Sequence, residues 1–236
     1  DVIVDALPGA VVTFSSGSAS VRNLLTNVPF QFSGGTIAVS GEWHVAAPIS
    51  ATGGTIASSK LAGSAALTVQ SGRTLSLQGV TLGVETFVQN AAGVQVQGTL
   101  TLDNAAVRLQ STGSTALLDF TGAAALLTGT GEVLFEGSGS ANYVRPMTVG
   151  GVLTIDSGIT ITGPKTGLVG NESNANGRNV GVVNRGTIVA DGGGVTLNAA
   201  SIRNEGLLRA QTGQQLYMFN LTNAALGTLA VDTGGV

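Results

Sequence analysis

VNRGTIVADGGGVTLNAASIRNEGLLRAQTGQQLYMFNLTNAALGTLAVD, residues 183–232, carries Asn184, Asn204 and Asn223 at intervals of 20 and 19. Each asparagine has an apolar residue two places before it: Val182, Ile202 and Leu221. Each is followed by a glycine and a short apolar run, at Gly186 (TIVA), Gly206 (LLRA) and Gly227 (TLAV). The returning unit is thus an asparagine, a glycine and a strand.

The same habit is visible upstream. GGTIAVSG, GGTIASSK and GRTLSLQG place Thr36, Thr55 and Thr74 at two successive intervals of 19. Related units at Gly98 (GTLTL) and Gly150 (GGVLTI) are more widely spaced. Between them lie short runs such as VVTF (11–14), RTLSL (73–77), VQVQGTLTL (94–102) and EVLF (132–135). Many alternate apolar with polar, the period-two mark of a strand with one buried side. An all-β chain is a sandwich, a barrel or a solenoid, and only the solenoid requires similar strands to return at a fixed interval. The expectation is one domain over residues 1–236, a right-handed parallel β-helix with about 19–25 residues per coil. At one coil per ~4.8 Å, about ten or eleven coils make a rod of roughly 50 Å.

Stacking then explains the asparagines. Equivalent residues lie above one another, so an amide at one corner can bond its neighbours in a ladder. Asparagine tolerates the left-handed turn conformation there, and the following glycines are expected to supply positive φ. Thr36, Thr55 and Thr74 are expected to form a second stack, outward or at a corner.

Composition agrees with a narrow interior filled by small aliphatic side chains. Of 236 residues, 36 are glycine, and aromatics make up only 4%. The 43% hydrophobic content argues against disorder. Net charge is −3 with scattered Lys and Arg, which argues against a nucleic-acid partner. The absence of cysteine removes disulfides and thiolate chemistry. No apolar run reaches the ~18 residues of a membrane helix. The opening DVIVDALPG has no basic region followed by an apolar one, so the chain reads as a mature protein or a piece of a longer one.

Two stretches depart from the repeat. Residues 163–181 include a polar segment without strand character and read as a projecting loop, with Asn174 and Arg178 as ligand-facing positions. GSGSANYVRP (137–146) brings Tyr143 beside Arg145, an aromatic and a guanidinium suited to stacking on a sugar ring.

No catalytic, metal or cofactor site emerges. His44, the single histidine, follows Trp43, and both read as structural residues of the early coils. Glu132 and Glu136 share one side of a strand, but about 13 Å apart, too far for either glycosidase geometry. Asp103, Asp119 and Asp156 stand singly. Asp191-GGG inverts the order of a calcium-winding repeat, and no second copy follows.

GTIVADGGGVTLNAASIRNEGLLRAQTG and GGTIAVSGEWHVAAPISATGGTIASSKLAG resemble bacterial surface β-helix proteins, the filamentous-haemagglutinin-like adhesins and autotransporter passengers. The resemblance implies an extracellular location at the bacterial cell surface and a structural or adhesive role, with glycans or a host or cell surface as partners. The expected function is therefore a non-catalytic rod. GTLAVDTGGV ends on an apolar strand, so the rod is expected to continue in a longer chain or to associate end to end into filaments. The alternative is a carbohydrate-active or glycan-binding β-helix using Glu132, Glu136, Arg145, Lys165 and Arg178, provided these share one face. Ice binding through the threonine stack is a third reading, weakened by the shortness of that column.

Overall fold

The computed structural model describes residues 1–7, 9–171 and 179–236. Each early strand pairs in parallel with the strand three places further on: Val2–Val4 with Leu24–Thr26, Val12–Phe14 with Phe30–Phe32, and Ser18–Val21 with Thr36–Val39. Three strands per turn give a β-solenoid with three faces, called first, second and third here in that order. From Val2 the first face is crossed again at Leu24, Trp43, Leu61, Leu82 and Leu102. By way of Leu100, two residues before Leu102, it is crossed further at Leu127, Ile155, Asn184, Asn204 and Asn223, making ten turns among the described residues. In the middle, Thr74–Gly83, Gly93–Ser111 and Ala116–Gly137 run through corners as unbroken strands.

Alternation places one set of side chains inside. In Thr74–Gly83, Leu75, Leu77, Val80 and Leu82 are buried between outward polar residues. Parallel register then stacks like on like. Along the second face Phe30, Ile49, Leu67, Thr86, Val107, Val133, Ile161, Ile188 and Leu208 form one inward column. Burying each Leu or Ile in such a column contributes about 1.5–3 kcal/mol. Trp43 is fully buried, meets Phe30 nearly edge-on at 5.7 Å between ring centres, and donates its indole N–H to Thr26 at 3.4 Å. Its expected packing among the early coils is therefore interior. His44, next in the strand, points outward beside Glu42 at 3.6 Å.

The coils vary in length more than the constant spacings lead one to expect. One coil runs only from Trp43 to its first-face partner Leu61, whereas another runs from Ile155 to Asn184. Length changes at corners, where no ladder has to be kept. Between the third and first faces, Gly98 alone is matched in the next coil by the stretch 122–125. Within the span 163–181 expected to project, Gly167–Gly170 is a third-face strand paired on both sides, and residues 172–178 lie outside the described residues. Asn171 is also buried, and its amide bonds the Asn198 carbonyl at 2.6 Å.

The threonine column is shorter than expected. Thr36 and Thr55 are in register, but the next partner is Ser76, while Thr74 pairs with Gly93. The coil after Thr55 is longer than the one before it, so the motif at Thr74 recurs at the right interval and in the wrong register.

The asparagines form a ladder of a different kind from a left-handed corner. None of the three has positive φ. They close inward-facing strand positions, continuing the aliphatic column Leu100, Leu127 and Ile155. Asn184 and Asn204 are fully buried. Asn184 Nδ2 donates to Asn204 Oδ1 at 2.8 Å, and Asn204 Nδ2 to Asn223 Oδ1 at 2.8 Å. The ladder begins on Ile155, which explains why Asn184 Oδ1 is buried without a partner. Gly186, Gly206 and Gly227 also lack positive φ, so that expectation is corrected too. Close approach of successive coils selects them: a Cβ on Gly206 would lie 2.1 Å from the Gly186 carbonyl oxygen.

Asn204→Leu is therefore expected to destabilise the fold by about 2–4 kcal/mol, since it takes the amide partner from fully buried Asn184 and the donor from the Gly206 and Thr228 carbonyls. Asn184→Leu should cost at least about 1 kcal/mol less, because it removes the orphaned carbonyl and extends the aliphatic column. Urea unfolding of the two variants measures the difference.

Candidate functional site

Outward side chains follow the same register as the core, so charges meet across coils. Asp119 and Arg145 are register partners on the third face. Arg145 Nε and Nη2 bond the two Asp119 oxygens at 2.8 and 2.9 Å, with both side chains 15% exposed. Tyr143, two residues back on the same side, lies 5.6 Å from the Arg145 guanidinium. Leu117 and Leu168 flank Tyr143 in register. The tyrosine and arginine expected in a ligand-facing turn thus occupy the strand Asn142–Pro146, and the arginine's fork is closed by a carboxylate. Asn174 and Arg178, the other two expected ligand positions, lie outside the described residues.

On the second face Arg108 bridges two coils. Its Nε donates to Glu85 at 2.6 Å and its Nη1 to Glu136, which also accepts from Gln110 at 3.3 Å. The bond to Glu85 above all, with help from Glu136 and against partial burial, holds the guanidinium above its ordinary pKa. Arg185 with Glu205 (2.9 Å) and Arg209 with Asp232 (2.8 Å) brace the last coils in the same way.

The groups named for a carbohydrate-active groove do not converge. Glu132 and Glu136 belong to a second-face stretch, Arg145 to the third face, and Lys165 to the corner between the strands Ile159–Thr162 and Gly167–Gly170. Among the described residues no three His, Cys, Asp or Glu side chains gather as a metal site.

A grouping that spacing does not disclose lies on the first face. Lys60, Thr81, Thr101 and Thr128 follow one another in register, one per coil. Asp156 continues the lane, accepting a bond from the Thr128 hydroxyl at 2.7 Å and one from the Ser157 amide at 3.0 Å. Thr128 first, then Ser157, holds the Asp156 carboxyl below the usual carboxylate range. In the adjoining lane Asp103 is in register with Thr130. Lys60 pairs with Asp103 at 3.0 Å. Thr81, Thr101, Asp103, Thr128, Thr130 and Asp156 line a shallow depression of about 540 Å³. The interval from Thr81 to Thr101 matches the coil period. The step from Thr101 to Thr128 is longer than that period, because the coil lengthens at two corners, first between Leu109 and Leu117 and then at 122–125.

Compared with protein-family models, with curated proteins and with solved structures, the chain matches none.

Replacing Arg108 by methionine is expected to lower stability by about 0.5–1.5 kcal/mol, the discounted value of a half-exposed pair of ion bridges, read as a drop in Tm. Acid should weaken the fold through Asp156 and Glu205, whose pKa values lie below the ordinary ones, Glu205 chiefly through Arg185. A lowered folded-state value gives stability that is present above about pH 4 and drains as pH falls through the folded value. Tm should hold steady from about pH 7 to 5 and fall below about 4. The double variant Asp156→Asn, Glu205→Gln should show a shallower fall in a scan of Tm against pH.

Proposed function

We propose that this chain is a non-catalytic rod, an extracellular segment of a bacterial surface protein that gives structure or carries an adhesive surface. The observation that carries the reading is the parallel ladder running in register from Val2 to Val231. Every turn bonds the next, so the chain spans roughly 50 Å as a stiff object with little internal freedom. Cross-coil ion pairs such as Arg145–Asp119 and Arg108–Glu85 support the same reading, since they spend charge on joining coils. The resemblance of the repeat phrases to surface β-helix proteins supports the location.

An end-on partner belongs to the proposal. Inward-class side chains are exposed on the last turn, at Met218, Leu229 and Val231. The first turns enclose an apolar hollow of about 180 Å³ lined by Val4, Phe14 and Leu24 among others. Another coil fits both, from a continuation of the same chain or from a second copy.

The test is immunogold electron microscopy of unpermeabilised producing cells with antibody raised against this chain. Labelling of the surface or of surface fibres is the expected result. Label confined to the cell interior overturns the proposal.

A further inference from the structure

The first-face depression goes beyond the rod reading and does not depend on it. We propose that Thr81, Thr101 and Thr128, with Asp103 and Asp156 beside them, bind an uncharged, hydroxyl-rich saccharide chain laid along the axis of the rod.

The first ground is geometry. The site is concave, and about 540 Å³ falls in the size range of ligand clefts. Its hydroxyls come from successive coils, so they repeat at about 4.8 Å along a straight lane. Strands hold their Cα positions, and χ1 of a threonine is restricted by its branched Cβ. A run of polar groups at a fixed pitch suits a ligand that is itself a repeating polyol.

The second ground is the state of those groups. Among the described residues no hydrogen bond to protein occupies the hydroxyls of Thr81 and Thr101, whereas Asn184, Asn204 and Asn142 elsewhere bond other groups of the protein. Thr128 already donates to Asp156, so its oxygen faces the depression as an acceptor. Asp156 receives one bond on each oxygen and has lone pairs left. Asp103 is held by Lys60 and by Asn104 Nδ2 at 3.3 Å, with capacity remaining. The surface therefore offers two free hydroxyls that both donate and accept, one oriented acceptor and two carboxylates. A sugar ring presents vicinal hydroxyls that donate and accept in turn, and ionised carboxylates accept from such pairs.

The third ground is charge, which selects among saccharides. Asp103 and Asp156 against Lys60 leave one net negative charge in the depression. Arg185, the next cation along, is committed to Glu205. Uronate or sialate units would bring carboxylates against carboxylates, so acidic chains are disfavoured.

Calorimetric titration of the whole chain with cellohexaose, maltohexaose and hexagalacturonate tests the proposal. Saturable binding of at least one neutral hexasaccharide is expected, at least ten-fold tighter than hexagalacturonate. Thr101→Val and Thr128→Val keep side-chain shape, and each is expected to weaken that binding at least five-fold. Thr36→Val, on the third face, should leave it unchanged. Thr81→Val serves as the second lane variant should either of the others show a lowered Tm. The proposal is overturned by no binding of either neutral chain, by equal or tighter binding of hexagalacturonate, or by lane variants that bind like the parent. Any of these outcomes leaves the cell-surface labelling result untouched, so the two readings fail separately.

Discussion

Main-chain hydrogen bonding between successive coils governs everything else in this molecule. A parallel ladder repeats at about 4.8 Å, and it places each side chain directly above its partner one turn earlier. A leucine therefore sits on a leucine, which favours close dispersion contact along each inward column. The same constraint admits an asparagine to the interior only where bonding partners are supplied, by another asparagine at Asn204 or by main-chain groups of Ser111, Glu136 and Thr166 at Asn142. Asn204 is satisfied above and below, whereas Asn184, resting on Ile155, has a carbonyl with no partner. Outside, the constraint turns charge into bracing. Asp119 and Arg145 belong to neighbouring coils and are held face to face by the register.

The ladder constrains strands and leaves corners free. A short coil, from Trp43 to Leu61, and a long one, from Ile155 to Asn184, coexist in one stack because both keep their strands in register with the coils beside them. Coils lengthen between Leu109 and Leu117 and again at residues 122–125. The coils on either side of this second insertion carry most of what distinguishes this rod from a plain repeat. The Arg108 bridge, the Tyr143–Arg145–Asp119 group and the depression near Asp156 each join a coil before that insertion to one after it. A depression needs such irregularity, since identical coils produce flat faces.

Much of the fold is legible in the chain itself. Alternation reports the strands, and the intervals of 19 and 20 report the coil, because equal coils convert spatial stacking into constant sequence spacing. Where coils are unequal, the same reasoning misleads. Thr74 follows Thr55 at the interval that separates Thr55 from Thr36, yet a longer coil makes Ser76 the partner. Asparagine's tolerance of left-handed turns suggests a corner role, and burial with amide-to-amide bonding overrides that local preference. Tyr143 and Arg145 stand out as a pair, but Asp119 belongs to the preceding coil and nothing local points to it.

The sequence by itself determined the all-β class, the repeating coil, the aliphatic interior and the asparagine stack, since each follows from periodicities that one chain displays. Tertiary structure alone decided which surface residues meet. Asp103 and Asp156 stand far apart along the chain, and Lys60, Thr81, Thr101 and Thr128 follow irregular intervals. They share one depression because register, summed over coils of differing length, brings them into adjoining lanes. Hydrogen bonding between coils counts partners across space, and the lengths of the corners that set this count carry no periodic signal.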